Sequence, residues 1–247
     1  MRFFGLMAAL LASQAFAGEV FGASEQTFAF EVKLGPHRPL IDREFPGIAT
    51  EGAADPYYRT FGPSFMLMGE IEVDYQFLRP FNVGSVALAF SIGYAEKFAA
   101  AVDATSKLPA KESTGLRLIP MKVQAVYRFD WLAQRHNIPL VPYIKGGFVA
   151  EPWMSVKGGK TELVDGREAF STRFGLAATV GIAFQIDFLD PRLARDFDTS
   201  AGVNHTYLIA EWAITEVNNF GQQNAAGKPI GMDLSSRNVF FGLAVEF

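Results

Sequence analysis

Apolar and polar residues alternate along several segments of this chain, and after the first residues no apolar run approaches the length of a membrane-spanning helix. The sequences FAFEVKL at 28–34 and LMGEIEVDYQF at 67–77 both carry an apolar residue at nearly every second position. Successive side chains of a β-strand point to opposite faces, so this period predicts strands with one apolar face and one polar face. A helix needs about 20 apolar residues to cross a bilayer. The chain is therefore predicted to be all-β, and membrane crossing by helices is excluded.

The alternation predicts eight strands, at 28–34, 67–77, 86–94, 119–131, 141–150, 174–188, 206–214 and 239–247. Their connections are long and short in turn, with the long ones near 36–64, 96–114, 154–171 and 216–236. Bacterial membrane barrels have an even number of antiparallel strands, short periplasmic turns and long outer loops. This order predicts an eight-stranded antiparallel up-and-down transmembrane β-barrel with both termini in the periplasm.

One connection of intermediate length, Leu189 to Asn204, contains the pair Asp190-Pro191. Aspartate is a favourable N-cap, and proline is tolerated in the first turn of a helix. We therefore predict a short periplasmic helix in this connection.

The polar face of the predicted strands combines small residues with charged ones. A soluble lipocalin-like barrel also has one apolar and one polar face, so alternation alone does not separate the two classes. An eight-stranded barrel is just wide enough inside to be filled by side chains, and small residues leave room there for charges. We therefore place the apolar face outside. The predicted lumen charges are Glu31, Lys33, Glu70, Glu72, Lys122, Arg128, Lys145, Arg173, Glu211 and Glu246, with Asp74 and Asp187 beside them.

These inward charges allow two interpretations, a closed interior in which they pair or a solute path lined by acidic groups. Cations and carboxylates are nearly balanced in the predicted set. A buried charge without a partner is strongly destabilising, and a lumen this narrow holds little water. We therefore expect a closed barrel, with a narrow channel as the alternative.

Aromatic residues collect near the predicted strand ends. Such residues form girdles at both membrane interfaces of outer-membrane barrels. The predicted girdle residues are Tyr75, Phe77, Tyr127, Phe129, Trp131, Phe184 and Phe188 at the short-turn end, with Trp153 near the opposite rim.

The N-terminus predicts export. Arg2 precedes an apolar stretch from Phe3 to Ala12, and a small-residue triplet follows at 15–17. This order is typical of a cleaved signal peptide. We expect a signal peptide at 1–17 and one barrel domain at 18–247, located in the outer membrane with its lipid as partner. The chain has no cysteine, so no disulfide stabilises the fold. Its formal charge is -4 and the sequence has no Lys/Arg-rich stripe, so a nucleic-acid partner is not expected.

The last ten residues, NVFFGLAVEF, resemble the assembly signal of outer-membrane barrels. The resemblance implies that Gly242 and Phe247 are recognised by the periplasmic barrel-assembly machinery. Val245 stands where that signal often has a second aromatic residue, and Phe240 stands where it often has a polar one.

Two further segments resemble a family of small outer-membrane barrels found in myxobacteria and their relatives. They are FEVKLGPHRPLIDREF at 30–45 and LDPRLARDFDTSAGVNHTYL at 189–208. The resemblance implies an eight-stranded barrel with a short periplasmic helix. It brings no assigned activity and no catalytic residues.

The candidate residues for catalysis and metal binding are few. The predicted topology places His37 in the first outer loop, His136 in a periplasmic turn and His205 at the periplasmic start of the seventh strand, on opposite sides of the hydrocarbon layer. Neither a metal cluster nor a trio of nucleophile, base and orienting group emerges from the sequence. We expect no enzyme activity, no cofactor and no metal. The sequence favours a closed structural or surface-interaction barrel with an unknown surface ligand, and the alternative is a narrow channel for small solutes or lipophilic molecules.

Overall fold

The computed structural model describes residues 27–44, 55–80, 83–102, 109–136, 138–164, 166–223, 225 and 231–247. The predicted signal peptide at 1–17 lies outside this part of the chain. The long strands are β1 (Phe28–His37), β2 (Met66–Leu78), β3 (Ser85–Val102), β4 (Pro109–Leu118), β5 (Met121–Arg128), β6 (Leu140–Lys157), β10 (Phe170–Gln185), β11 (His205–Glu216) and β12 (Ser236–Glu246). Three two-residue strands, β7 (Lys160–Thr161), β8 (Leu163–Val164) and β9 (Arg167–Glu168), lie between β6 and β10.

The long strands form one closed antiparallel ring. β1 pairs with β2, β2 with β3, β6 with β10, β10 with β11 and β11 with β12, and β12 pairs with β1 to close the ring. The elements β4 and β5 form one wall of this ring, because both pair with β3 on one side and with β6 on the other. The barrel therefore has eight walls, which confirms the predicted all-β, eight-stranded antiparallel fold.

The fourth wall is interrupted at Ile119 and Pro120, within the strand predicted at 119–131. Proline has no amide hydrogen for the sheet. The ring stays connected because Gly93 N donates to Pro120 O at 2.7 Å, and Ile119 N donates to Pro152 O at 2.9 Å. Trp131 does not end this strand as predicted, because it begins a helix.

The connections divide the barrel into two ends. Thr27 and Phe247 lie at the end that we call the terminal end, where the backbone amide of Thr27 donates to Phe247 O at 2.8 Å. This end also carries the helices α2 (Trp131–His136) and α3 (Pro191–Ala201) and a 3-10 helix (Asp187–Leu189). The opposite, loop end carries α1 (Pro56–Phe61) and 3-10 helices at Ile41–Glu44 and Asn219–Gly221. The predicted helix between 189 and 204 corresponds to α3. No helix in the described ranges is long and apolar enough to cross a membrane.

Several strands continue further toward the loop end than predicted. β3 extends to Val102 and β6 to Lys157, so parts of the predicted loops at 96–114 and 154–171 belong to the barrel wall. β1 extends to His37, which is buried inside the barrel and does not lie in an outer loop. Beyond the predicted ends, backbone pairing with the neighbouring strands continues after the apolar alternation weakens.

Along each wall, successive side chains point in turn to an inward polar face and an outward apolar face, as the period of two predicts. In β1, Glu31 and Lys33 are buried inside, whereas Val32 and Leu34 are exposed on the outside. The outward face continues around the ring with Ile71, Leu88, Phe90, Val123, Ile144, Phe148, Val180, Leu208, Trp212 and Leu243, all exposed.

At the loop end the interior is apolar, which the sequence did not predict. Residues from the walls and from the connections form one buried cluster, which we call the loop-end plug. It consists of Ile41, Tyr57, Met66, Met68, Ala95, Leu116, Leu118, Val149, Ala177, Ala213, Val217, Leu234 and Phe240. Two connections meet there, since Leu40 N donates to Ser235 O at 2.8 Å.

Candidate functional site: a buried ion-pair network

Among the described residues, four cations and six carboxylates contact one another in the lumen, between the loop-end plug and the terminal end. The strands deliver them because every second side chain points inward. The members of this ion-pair network are Glu31, Lys33, Glu70, Glu72, Asp74, Lys122, Arg128, Lys145, Glu211 and Glu246. All ten side chains are buried.

Lys33 is the centre of the network. Its Nζ atom lies 2.8 Å from Glu72, 3.0 Å from Glu211, 3.2 Å from Glu70 and 3.3 Å from Glu31. These carboxylates come from three different strands, so the network links walls that are distant in sequence. Pairing of this kind compensates the high cost of removing charges from water.

Lys145 is the second central cation. Its Nζ atom lies 2.8 Å from Glu31 Oε2 and 2.7 Å from Glu211 Oε1, and it also pairs with Glu72. Tyr143, two positions earlier on the same strand, donates from its hydroxyl to Glu211 Oε1 at 3.0 Å.

Arg128 closes the network toward the terminal end. Its guanidinium pairs with Glu31, lies 2.8 Å from Asp74 Oδ2, and lies 3.6 Å from Glu246 Oε1. Glu246 also accepts hydrogen bonds from the Gln76 amide at 2.9 Å and the Tyr207 hydroxyl at 2.8 Å.

Small residues make room for these charges. In the sheet register, Lys33 lies opposite Gly242 and Glu211 lies opposite Gly181. A Cβ atom at Gly181 would overlap the ring of Tyr143, and one at Gly242 would overlap the carbonyl oxygen of Val32. The interior is therefore filled to the limit expected for eight strands.

Three carboxylates of the network, Glu31, Glu72 and Glu211, lie close enough together to resemble a metal site, with oxygen atoms within 4.8 Å of one another. Lys33 and Lys145 each contact all three. The two ammonium groups already supply the positive charge that a metal ion would bring. The arrangement is therefore explained by ion pairing.

A small polar layer lies between the network and the loop-end plug. Lys122 Nζ lies 2.6 Å from Glu70 Oε2, and Asn238 Nδ2 lies 2.9 Å from His37 Nδ1. A cavity of about 10 Å³ opens between these residues and Glu151, which is close to the size of one water molecule. Within the described ranges, His37 Nε2, Asn238 Oδ1 and Glu151 Oε1 have no hydrogen-bond partner. These three groups suit a site for a single bridging water.

Glu151 and Asn238 were missed by the sequence analysis. Glu151 follows Lys145 and Val149 on the inward face of β6 at a period of two. Glu151 could have been identified by continuing the alternation one residue past the predicted strand end at 150.

Arg173 is not part of the ion-pair network, contrary to the prediction. It lies on β10, and in the described part of the chain no ion pair joins it to the network. Its guanidinium instead packs against the backbone of Gly231, where a Cβ atom would overlap it. β10 is long enough to place Arg173 near the loop end, outside the charged layer.

Asp187 was also predicted to lie in the lumen, and it does not. It belongs to the 3-10 helix after β10, where its Oδ2 atom lies 2.7 Å from His205 Nδ1 and 2.8 Å from Gln185 Nε2. Its Oδ1 atom accepts from the backbone amide of Thr206 at 2.9 Å. Burial raises the pKa of Asp187, but the hydrogen bonds from His205, Gln185 and Thr206 outweigh burial and hold the pKa below its ordinary value.

A cavity of about 580 Å³ opens at the terminal end. We call it the terminal vestibule. It is lined by Ser85, Arg128, Asp130, Ala133, Gln134, Pro139, Val141, Gln185, Phe188, His205, Tyr207 and Glu246. Arg128 and Glu246 also belong to the ion-pair network, so the vestibule ends where the network begins.

His136 and His205 lie at the terminal end, on the side where they were predicted, whereas His37 lies inside the barrel and not in the predicted outer loop. His136 ends α2 and packs against the Trp131 ring with the centroids 4.4 Å apart. His37 lies inside the barrel and His205 lies at the vestibule, so they do not converge.

Aromatic residues cluster at the terminal end in pairs. Tyr75 packs against Phe28 at 5.2 Å and Phe77 at 6.4 Å between ring centroids. Further pairs there are Phe129 with Trp131 and Phe184 with Phe188. Trp153 lies toward the loop end of β6, but it packs against the loop-end plug inside the barrel and is not part of an outer aromatic girdle.

The predicted assembly residues lie on β12 and just after it. Gly242 faces inward opposite Lys33, and Val245 pairs with Phe30 on β1. Phe247 follows the strand, and its backbone amide donates to Phe28 O at 2.8 Å. Their backbone contacts hold the seam at which the last strand meets the first.

No protein-family model matches this sequence, and no curated protein matches it. Solved structures match the fold at low identity. OprG, an outer membrane protein from Pseudomonas aeruginosa, is 11% identical, with 93% of this chain and 99% of the other covered and a TM-score of 0.46. The N-terminal β-barrel domain of Pseudomonas aeruginosa OprF is 11% identical, with coverages of 90% and 98% and a TM-score of 0.42. Ail, the attachment invasion locus protein of Yersinia pestis, in complex with the heparin analogue sucrose octasulfate, is 8% identical, with coverages of 90% and 97% and a TM-score of 0.42.

Proposed function

We propose that this protein is an integral barrel of the bacterial outer membrane, with a closed lumen and a structural or surface-interaction role. The observation that carries this proposal is the ion-pair network. Four cations and six carboxylates fill the middle of the barrel, while the outward face of the same strands is apolar and exposed.

The distribution of polarity supports a membrane environment. A water-soluble barrel places its apolar face inside and its polar face outside. Here Lys33 and Glu72 are buried inside, and Val180 is 58% exposed on the outside. An apolar outer face is stabilised by lipid and would promote aggregation in water.

The connections support an orientation. In outer-membrane barrels the termini and the short turns are periplasmic, and the long loops face outward. The terminal end therefore faces the periplasm, where the assembly machinery would meet Gly242, Val245 and Phe247. The loop end faces the exterior, where loops on a rigid scaffold commonly host recognition.

Three layers beyond the terminal vestibule support a closed lumen. The terminal vestibule ends at Arg128 and Glu246. The ion-pair network lies beyond them, followed by the layer around Glu151 and then by the loop-end plug. A solute would have to break buried ion pairs and displace packed apolar side chains to cross all three.

The first test is cell fractionation with gel electrophoresis of boiled and unboiled samples. Recovery in the outer membrane with a heat-dependent change in migration is expected from a closed membrane barrel. Recovery as a soluble periplasmic protein without that change would overturn the membrane assignment.

Conductance in planar bilayers separates the closed barrel from a narrow channel for small solutes or lipophilic molecules. The terminal vestibule, at about 580 Å³, is the feature that favours the channel. We expect no unitary conductance from the refolded protein. Steady conductance steps would replace the closed barrel with the channel, and a known porin reconstituted in parallel serves as the positive control.

A further inference from the structure

The helix α3, between β10 and β11, carries an apolar stripe. Phe197 and Ala201 lie four residues apart on one side of α3, and Leu189 ends the 3-10 helix that directly precedes α3. The helix is strongly amphipathic. Its end is well defined, since Gly202 adopts a left-handed φ of 70° and its amide donates to Asp198 O at 3.0 Å.

The barrel does not cover this stripe. Leu189 is 69% exposed and Phe197 is 47% exposed. Thr199, on the other side of the helix, is exposed as well. Two large apolar side chains, Phe197 on α3 and Leu189 just before it, are thus exposed to the surroundings, and water is an unfavourable solvent for them.

The exposed stripe is continuous with the outward apolar wall of the barrel. Phe184 lies on the outward side of β10, next to the inward Ala183. Phe188 packs edge-to-face on Phe184 with ring centroids 5.7 Å apart, and it is itself 54% exposed. Leu189 follows immediately, so the apolar surface runs from the wall into the helix.

We propose that α3, with the 3-10 helix before it, binds the periplasmic leaflet of the outer membrane, lying in the plane of the interface with Leu189 and Phe197 inserted into lipid. This inference rests on the proposed outer-membrane location. An amphipathic helix with a polar side and exposed Phe and Leu residues suits this position. The helix would fix the depth of the barrel in the bilayer at its terminal end.

The absence of cysteine from the chain allows single cysteines to carry a nitroxide spin label without background. We would label Phe197→Cys and Leu189→Cys on the stripe, Thr199→Cys on the polar side, and Val180→Cys in the middle of the outward wall. Each variant is refolded into vesicles of phosphatidylethanolamine and phosphatidylglycerol and checked for the heat-dependent gel shift. Power saturation then compares collisions with oxygen, which enriches in lipid, and with a water-soluble nickel chelate.

The expected result is that labels at Phe197, Leu189 and Val180 collide more with oxygen, and that the label at Thr199 collides more with the chelate. If Val180 reports lipid while Phe197 and Leu189 match Thr199, the membrane barrel stands and the interfacial helix is wrong. If Val180 also reports water, the membrane location itself is wrong, and the helix proposal falls with it.

Discussion

The Nζ atom of Lys33 lies 2.8 Å from Oε2 of Glu72 inside the barrel, and both side chains are almost completely removed from solvent. The two residues lie on adjacent walls, β1 and β2, and the described ion pairs of both are to other lumen residues. Ion pairs of this kind add specificity to the arrangement of strands, since a one-residue shift in register would turn these charges to the apolar outer face and separate them from their partners.

Replacing Lys33 should therefore be costly. Lys33→Met leaves four carboxylates with less compensating charge, and we expect a loss of about 3–5 kcal/mol in the free energy of unfolding. The double variant Lys33→Met/Glu211→Gln should recover part of this loss, because it also removes one of the carboxylates that Lys33 contacts. Urea titration of the refolded protein in vesicles, with folded protein read from gel migration, measures both.

The matched control for Lys33 is Lys160→Met, an exposed lysine of β7. Its effect should stay within about 0.5 kcal/mol. Equal losses for Lys33→Met and Lys160→Met would show that the network contributes little to stability.

Two neighbouring glycines of β6 should respond very differently to alanine. A Cβ atom at Gly147 would overlap the carbonyl oxygen of Val123 on the adjacent strand, whereas one at Gly146 meets no atom within 4 Å. Gly147→Ala should cost about 1–3 kcal/mol because the strands must separate, and Gly146→Ala should change stability by less than about 1 kcal/mol. Unfolding of the two variants side by side tests the strand register, and a larger loss for Gly146→Ala would contradict it.

Phe247 should matter for assembly more than for the stability of the finished barrel. Phe247→Ala retains the backbone hydrogen bonds to Phe28 and Thr27, so the refolded protein should lose no more than about 0.5 kcal/mol. In cells, the same variant should reduce outer-membrane insertion and leave unfolded protein in the periplasm. Normal insertion would count against the assembly signal, and a large loss of stability in the refolded protein would assign Phe247 a structural role instead.

Asp187 should make stability depend on pH in the acidic range. Because its folded pKa is lower than its ordinary value, the carboxylate contributes stability above the unfolded pKa of about 3.9, and this contribution is lost as the pH falls through the folded pKa. Asp187→Asn should cost about 1.5–3 kcal/mol at pH 7. Its difference from the unmodified protein should shrink toward zero below the folded pKa.

Asp196→Asn, at an exposed carboxyl on α3, is the control for Asp187. Unfolding of the three proteins at pH 7 and in the acidic range provides the comparison. A loss for Asp187→Asn that is the same at every pH would exclude the carboxylate hydrogen bonds as its cause.

Much of the barrel could be predicted from local pattern. The alternation along β1 and β2 identified which side chains face inward, because the period of a strand depends only on backbone geometry. Glu31, Lys33, Glu70 and Glu72 lie in the lumen for this reason. The pair Asp190-Pro191 likewise indicated α3, since capping is a local interaction.

Errors arose where the outcome depended on contacts between segments distant in sequence. The alternation places Arg173 and Asp187 on the inward side of their strand. Their positions along the barrel axis, however, depend on strand length and stagger. His37 and Trp153 face inward because the walls continue toward the loop end. There the strands are held by pairing with their neighbours, although the alternation of apolar residues no longer marks them in the sequence.

The sequence by itself determined the number of walls and the sidedness of the barrel, because both follow from a repeating local geometry. Only the tertiary structure decided how the interior is closed. Ile41, Tyr57 and Leu234 come from three separate parts of the chain. They meet in the loop-end plug only when closure of the ring brings the connections that carry them together. The pairing of Lys33 with four carboxylates has the same origin, since ion pairs between strands require the register and closure of the whole ring.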